Sequence, residues 1–402
     1  MTDNTAEKAA WRKRVRNFYN IEKISQLSYI ERWRLKQITR IYPFMANDYY
    51  LGLINWDDPD DPIRRLIIPH QRELINWGHL DASNENAVTV SKGLQHKYAS
   101  TALLLVTQNC AGLCRYCFRK RLFIKERREA VKDVSDNLEY IRRHPEINNV
   151  LVTGGDPLVL PTRRLEKIIS ALRRIDHVRI IRIGSKIPAY NPFRIFEDSY
   201  LLDMISRYSL SDRRIYIMCH FDHPNELTPE TRKAVQLLQR AGAICVNQNP
   251  IIRGISDSPE VMSKLWNELS YMGVPQYYVF QGRPTSGNET YEVPIVEAYF
   301  NIEEAKKKCS GLAKRTKYVM SHESGKIEIV GVDDRQIYLR YHRAMDARNE
   351  NRFFICHRDD RAYWLDQLKP AEGHRNRYYQ SDLTRHLNVN YGVNDLGEEG
   401  HV

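Results

Sequence analysis

NVLVTGGDPLVLPTRRLEKIISALRRIDHVRIIRIGS, residues 149–185, holds the unit on which the fold reading rests. An apolar, β-branched run (NVLVT) ends in a small polar cluster (GGD). An amphipathic stretch, PTRRLEKIISALRRI, follows, and then a second apolar run, VRIIRIGS, again closed by polar residues. Continuous apolar runs joined through helices read as parallel strands buried on both faces. The unit recurs on either side. Further apolar runs are TALLLVT, RIYIMCHF, AICVNQN and QYYVFQG, interleaved with VSDNLEYIRRH, DSYLLDMISRYS, TPETRKAVQLLQRAG and SPEVMSKLWNELSYMG. Six β/α units in series predict a parallel sheet with helices outside it. A doubly wound open sheet gives a similar alternation. Almost every strand ends in a polar cluster (QNC, TGGD, GSK, HFDHPNE, NQN, QGR), which favours a barrel with its chemistry at the C-terminal strand ends.

Upstream, residues 1–95 read as a polar, mostly helical region. In IEKISQLSYIERWRLKQI, Leu27, Ile30, Leu35 and Ile38 have helical spacing and are the expected core contacts. The Pro/Asp-rich stretch NWDDPDDPIRRLIIP is a break. The barrel reading covers residues 96–300. Residues 301–402 read as a C-terminal extension. It holds one mixed unit, TKYVMSHESGKIEIVG, expected to add a strand pair, and a charged tail, RAMDARNENRFFICHRDDRAYWLDQLK, expected to supply a packing or oligomer helix. The end, NVNYGVNDLGEEGHV, is expected to be loose.

Composition narrows the class. With 42% hydrophobic and 10% aromatic residues in 402, the chain can bury a core, which excludes wholesale disorder. It has no apolar run of about 18 residues and no apolar segment near its start, so neither a membrane span nor a secretory signal is expected. Lys and Arg number 61 against 50 Asp and Glu, a net charge of +11. Ten basic and four acidic residues fall within the first forty. Such an arm can favour nucleic acid, but a solvated helix face is the commoner outcome, and no nucleic-acid partner is expected. Seven cysteines are too few for a disulfide scaffold and point to a reducing cytoplasm with one specialised site.

That site is TQNCAGLCRYCFRKR, with Cys110, Cys114 and Cys117 in the spacing C-x3-C-x2-C directly after a strand. Thiolates are soft ligands that suit zinc or iron–sulfur clusters. Three on one loop can hold three corners of a [4Fe–4S] cube and leave one iron open. Structural zinc wants a fourth ligand, usually from a second paired motif, and none occurs downstream.

The cysteine loop, followed by Phe118 on the first loop of a β/α series, resembles the radical S-adenosylmethionine (radical SAM) superfamily. Gly154, Gly155 and Asp156 stand at the second strand end, where that superfamily has a glycine-rich segment against the methionine part of its cofactor; glycine permits close backbone approach. From about residue 57 to 330, DDPDDPIRRLIIP, HKYASTALLLVT, CRYCFRKR, LVTGGDPLVL, RIGSKIP, CHFDHPNELT, NQNPIIRGISD and YYVFQGRPTSG resemble the lysine 2,3-aminomutase family. The resemblance implies a partial (β/α)6 TIM-like radical SAM barrel with a [4Fe–4S] cluster, S-adenosylmethionine and pyridoxal 5′-phosphate. It also implies an isomerase that moves an amino group between neighbouring carbons. Removing an unactivated hydrogen is beyond any acid or base near neutral pH, so the cofactors carry the chemistry and the protein supplies position and electrostatics.

The resemblance also assigns residues. Lys326, in SHESGKIEIV, stands where the family's pyridoxal phosphate lysine follows a glycine run, although that run is reduced here to Glu323, Ser324 and Gly325. Gln248 matches a glutamine near the cofactors, and Ser185 and His220 match strand-end positions lining their cavity. Lys97 stands where the family has a phosphate-binding arginine, and Thr101 replaces a second one. Arg119 matches the arginine that pairs with the substrate carboxylate, a role suited to the guanidinium fork. Where lysine-specific members hold the substrate ammonium with aspartates, this chain has Arg283 and the stretch Met320, Ser321, His322. An arginine there repels a lysine side chain, so an acidic or polar amino acid is the expected substrate. Ser258 replaces a zinc-site cysteine, so no zinc is expected. A reducing partner of flavodoxin or ferredoxin type is implied, and a homo-oligomer is compatible with the reading. Two other readings keep the scaffold: a radical SAM enzyme without pyridoxal phosphate that modifies RNA or protein, and a non-catalytic relative with a structural metal.

Overall fold

The computed structural model describes residues 10–124 and 129–371. Twelve strands form one sheet among them, each paired with its neighbours in sequence. They are β1 Thr89–Ser91, β2 Leu94–Tyr98, β3 Thr101–Thr107, β4 Asn149–Gly154, β5 Ile180–Ser185, β6 Ile215–Cys219, β7 Ile244–Pro250, β8 Gln276–Phe280, β9 Lys317–His322, β10 Gly325–Val332, β11 Gln336–Ala344 and β12 Phe353–His357. Pairing is parallel from β3 through β9. It is antiparallel from β1 to β3 and from β9 to β12. The six expected units are therefore followed by a seventh parallel strand, and the sheet is an open barrel with β1 and β12 as its edges.

A helix, α1 (Tyr29–Ile41), precedes the sheet. The crossovers are α2 Ser135–Arg143, α3 Thr162–Arg173, α4 Ser199–Tyr208, α5 Pro229–Arg240, α6 Pro259–Tyr271 and α7 Ile295–Lys307. Their starts follow local chemistry. Thr228 and Ser258 accept the Thr231 and Val261 amide hydrogens, and proline takes the first helical position in α5 and α6. The apolar stripe of α3 (Leu165, Ile168, Ile169, Leu172) is buried, as are Ile181 and Ile183 of β5. On the inner side, Leu103, Leu151, Arg182, Gly184, Met218 and Gln248 line a cavity, where a closed eight-stranded barrel would pack its interior solid.

Two expectations are corrected. Leu27, Leu35 and Ile38 enter the core, but Ile30 is 60% exposed. The helix starts only at Tyr29, with Ser28 and Glu31 forming a capping box, and this phase turns Ile30 away from Leu35 and Ile38. The charged tail contributes strand β12 where a helix was expected: Phe353–His357, with Phe354, Ile355 and Cys356 buried, pair with Gln336–Arg340 of β11. The loose-end expectation lies outside the described residues. No helix among those described is long and apolar enough to cross a membrane.

Candidate active site

A cavity of about 360 Å³, inside the usual range of roughly 300–1,000 Å³ for ligand sites, lies within the barrel towards the C-terminal strand ends. All thirteen site residues named from the sequence line it.

Cys110, Cys114 and Cys117 sit half-buried on the segment after β3. That segment is held from three sides. Behind it, the buried Arg115 donates from Nε to Glu73 Oε1 at 3.0 Å and from Nη2 to Oε2 at 2.6 Å. Its Nη1 reaches the Pro43 carbonyl at 2.8 Å, and the Leu113 amide donates to the Met45 carbonyl at 2.9 Å. From the side, Asn288 Nδ2 donates to the Tyr116 carbonyl at 2.8 Å. In front, the amides of Gly155 and Asp156 donate to the carbonyls of Thr107 and Asn109 at 2.7 and 2.8 Å. A Cβ on Gly154 or Gly155 would stand 2.2 or 2.3 Å from those same carbonyl oxygens, and Gly154 has φ +123°. The glycine pair is thus needed to fasten β4 to the cysteine segment, independently of any ligand.

Burial pushes all three thiols up, Cys114 to about 12, a state that a bound metal reverses by taking the thiolate. The Tyr190 hydroxyl lies 3.1 Å from Cys114 Sγ. No three His, Cys, Asp or Glu side chains among the described residues are placed to hold a single ion. All three cysteines line the cavity, and three soft donors on one segment fit a multi-iron cluster.

Beyond the glycines, Asp156 is fully engaged. Its Oδ2 accepts from Ser185 Oγ (2.9 Å) and from the amides of Lys186 (2.7 Å) and Ile187 (3.1 Å), and its Oδ1 from the Leu158 amide (3.0 Å). It ties the ends of β4 and β5 together. His220 Nε2 lies 2.8 Å from the Tyr116 hydroxyl and 3.2 Å from Asp222 Oδ1. Asp222 and Glu226 each take the Lys186 ammonium at 2.6 Å. In β7, Gln248 faces the cavity. Its neighbour Asn247 bonds on the other face to Gln276 and to the Phe221 carbonyl, which explains the NQN alternation.

Lys326 opens β10. Its Nζ lies 4.3 and 4.7 Å from the ring centroids of Tyr278 and Phe280. Burial, then Arg182, Arg283, Lys97 and Arg343, hold its amine well below the usual lysine range. A neutral, desolvated amine is a nucleophile. Arg343 of β11 is its direct cross-strand partner. Arg182 donates to Asn149 Oδ1 at 2.8 Å and Arg343 to Ser100 Oγ at 2.9 Å, both neutral acceptors; Glu350 approaches Arg343 at 3.5 Å. Lys97 donates to the His322 carbonyl. A cavity end with this many part-buried cations fits a phosphate dianion.

The two arginines assigned to substrate share a partner that sequence reasoning missed. Glu85 accepts from Arg119 Nε and Nη2 at 3.1 and 3.0 Å, from Arg121 Nη2 at 2.5 Å and from Arg283 Nη1 at 3.4 Å. Burial alone would raise its carboxyl, but Arg119, Arg283 and Arg121 outweigh it and hold the group well below the carboxylate range. Arg121 has further partners in Glu129 and Asp81. Arg119 and Arg283 also stack on Phe118, with Cζ 4.7 and 3.8 Å from its centroid. Seven Lys and Arg side chains line the cavity among the described residues against two carboxylates, Glu85 and Asp156. Arg182 carried a signal, since it lies within the RIGSKIP segment. Glu85 and Arg343 carried none, because their meaning comes only from pairing across the fold.

Comparison with known proteins agrees with this arrangement. Residues 104–265 match the Radical SAM superfamily. A protein of Aquifex aeolicus (strain VF5), provisionally named an L-lysine 2,3-aminomutase, is 51% identical over 355 residues, 88% of this chain and 95% of its own. The L-lysine 2,3-aminomutase of Acetoanaerobium sticklandii is 34% identical over 75% of this chain and 73% of its own. The glutamate 2,3-aminomutase of Clostridioides difficile is 31% identical over 78% and 73%.

Proposed function

The chain belongs to the lysine 2,3-aminomutase family of radical SAM enzymes, and from that membership we propose that it moves an amino group between C2 and C3 of an amino acid with an acidic or polar side chain, not of lysine. Enzymes of this family are isomerases that use a [4Fe–4S] cluster, S-adenosylmethionine and pyridoxal phosphate. When bound, these groups supply a hydrogen-abstracting carbon radical and a conjugated carrier for the migrating nitrogen.

The residues divide the work. Cys110, Cys114 and Cys117 would hold the cluster. The Gly154–Asp156 backbone, Ser185, His220 and Gln248 border the S-adenosylmethionine space. Lys326 offers its neutral amine to pyridoxal phosphate, with Lys97, Arg182 and Arg343 facing the phosphate. This cationic end favours retention of pyridoxal phosphate despite Thr101 and the shortened glycine run. Arg119 takes the substrate α-carboxylate and Arg283 the side chain. The chain requires a small-molecule substrate and an external reductant; free cysteines throughout the described residues suit a reducing cytoplasm.

One observation carries the substrate reading. Glu85 already serves three guanidiniums, and Asp156 already accepts four protein donors. A lysine ammonium entering this cavity meets no free carboxylate, whereas a second substrate carboxylate meets Arg283. The test is anaerobic cluster reconstitution followed by a screen of glutamate, aspartate and lysine for 5′-deoxyadenosine and β-amino products. Glutamate or aspartate should be turned over, and Lys326→Met should lose the visible absorbance of bound pyridoxal phosphate. Faster turnover of lysine than of either acidic amino acid refutes the reading.

A further inference from the structure

The outer face of α1 is the least concealed apolar surface beside the cysteine segment. Tyr29, Ile30, Trp33 and Ile41 are 77%, 60%, 59% and 52% exposed. At about 100° per residue they share one arc of the helix with Arg34 and Arg40, and the buried Leu35 and Ile38 fall outside it. No acid falls in that arc, and neither arginine has an ion-pair partner among the described residues. Aromatic, isoleucine and arginine side chains are the types that carry binding energy at interfaces.

Two features connect this face to the cysteines. The chain leaves α1 directly into Tyr42–Met45, the strip that accepts hydrogen bonds from Arg115 and Leu113 of the cysteine segment. A groove of about 410 Å³ beside α1 has Tyr291 in its wall, with Glu31, Asp60 and the arginines Arg34, Arg64 and Arg72; Arg64 pairs with Glu31 and Arg72 with Glu289, which leaves Arg34 without an ion-pair partner among the described residues. The same buried Tyr291 lines the cavity, and its ring lies edge-on to Tyr116, between Cys114 and Cys117, at 6.4 Å. One side chain is therefore common to the outer groove and the chamber holding the thiols.

We propose that the exposed face of α1 and the adjoining groove form the docking surface for the protein that reduces the cluster, an acidic one-electron carrier of flavodoxin or ferredoxin type. The proposal rests on the reading that the three cysteines hold a [4Fe–4S] cluster. In each transfer the carrier loses one electron and the cluster gains it. Charge complementarity favours an acidic partner. The arc of α1 itself holds no acid, so a two-fold copy would set Arg34 and Arg40 of one chain towards those of the other. The extent also fits: one helix face and a groove suit the small interfaces of transient redox encounters, below roughly 1,200 Å².

The test uses the reconstituted, anaerobic holoprotein. Reduced flavodoxin, and separately dithionite, are mixed with wild type, with Arg34→Glu/Arg40→Glu and with Trp33→Ala, and bleaching of the cluster absorbance is timed. With flavodoxin, the charge reversal should slow bleaching about tenfold or more and flatten its salt dependence, and Trp33→Ala should slow it at unchanged salt dependence. Dithionite should bleach all three proteins at one rate. Flavodoxin rates that ignore both variants overturn the docking surface while leaving the cluster reading intact. So does a change of oligomeric state in the variants, which would make the face a contact between copies. A wild type with no dithionite-bleachable chromophore overturns the cluster reading itself.

Discussion

Lys326 and Arg343 face each other across antiparallel strands, a costly pairing of like groups unless one is neutral or an anion lies between them. Burial and its cationic neighbours push Lys326 towards the neutral form, and the proposed reading sets the pyridoxal phosphate anion among the remaining cations. Lys97 makes this pH-dependent. Burial first, and Arg283 second, draw its ammonium down to about 7. The ammonium is present below that pH and lost above it, so attraction for an anion weakens as pH rises through 7. Pyridoxal phosphate affinity, followed by absorbance titration between pH 6 and 9, should fall by about tenfold, ~1.4 kcal/mol. Lys97→Arg, whose charge persists, should remove most of that fall; an unchanged slope in the variant would show that Lys97 does not face the phosphate. Lys326 was singled out by the resemblance to the family's lysine segment, with Gly325 before it and an apolar run after it. Arg343 was not, because nothing in YHRAMD marks which strand it will oppose.

At the scale of elements, the cysteine segment behaves as a clamped loop. Glycines at the end of β4 hold it in front and the Arg115–Glu73 pair holds it behind. Gly155→Ala places a Cβ 2.3 Å from the Asn109 carbonyl oxygen, so the backbone next to Cys110 must shift. The expected result is a folded protein by circular dichroism that retains less iron per chain than wild type after identical reconstitution. Iron content equal to wild type would show that the clamp does not set the thiol positions. Arg115→Ala removes both guanidinium hydrogen bonds from the buried Glu73 and leaves Lys120, 3.7 Å away, as its remaining ion-pair partner among the described residues; the loss should cost up to about 3–5 kcal/mol, read as a lowered denaturation midpoint. The GGD motif was legible as a close-approach site. That the approach is to the cysteine segment itself required the fold, because Thr107 and Gly154 become neighbours only when β3 and β4 pair.

Across the whole molecule, the sheet runs without a break from β1 to β12, so the C-terminal strands are bonded into the barrel that precedes them. Thermal unfolding should therefore show a single transition by circular dichroism and by intrinsic fluorescence. An early, separate melting of residues 317–371 would mean that β9 to β12 are held only loosely. The amino-acid order by itself determined the β/α succession and the thiol loop. Each of these is written in local spacing: period, polar strand ends, three cysteines within eight positions. Tertiary structure alone decided the charge balance of the cavity. Glu85 meets Arg119, Arg121 and Arg283 from separate parts of the chain, and an electrostatic field depends on distance through space, which sequence separation does not measure.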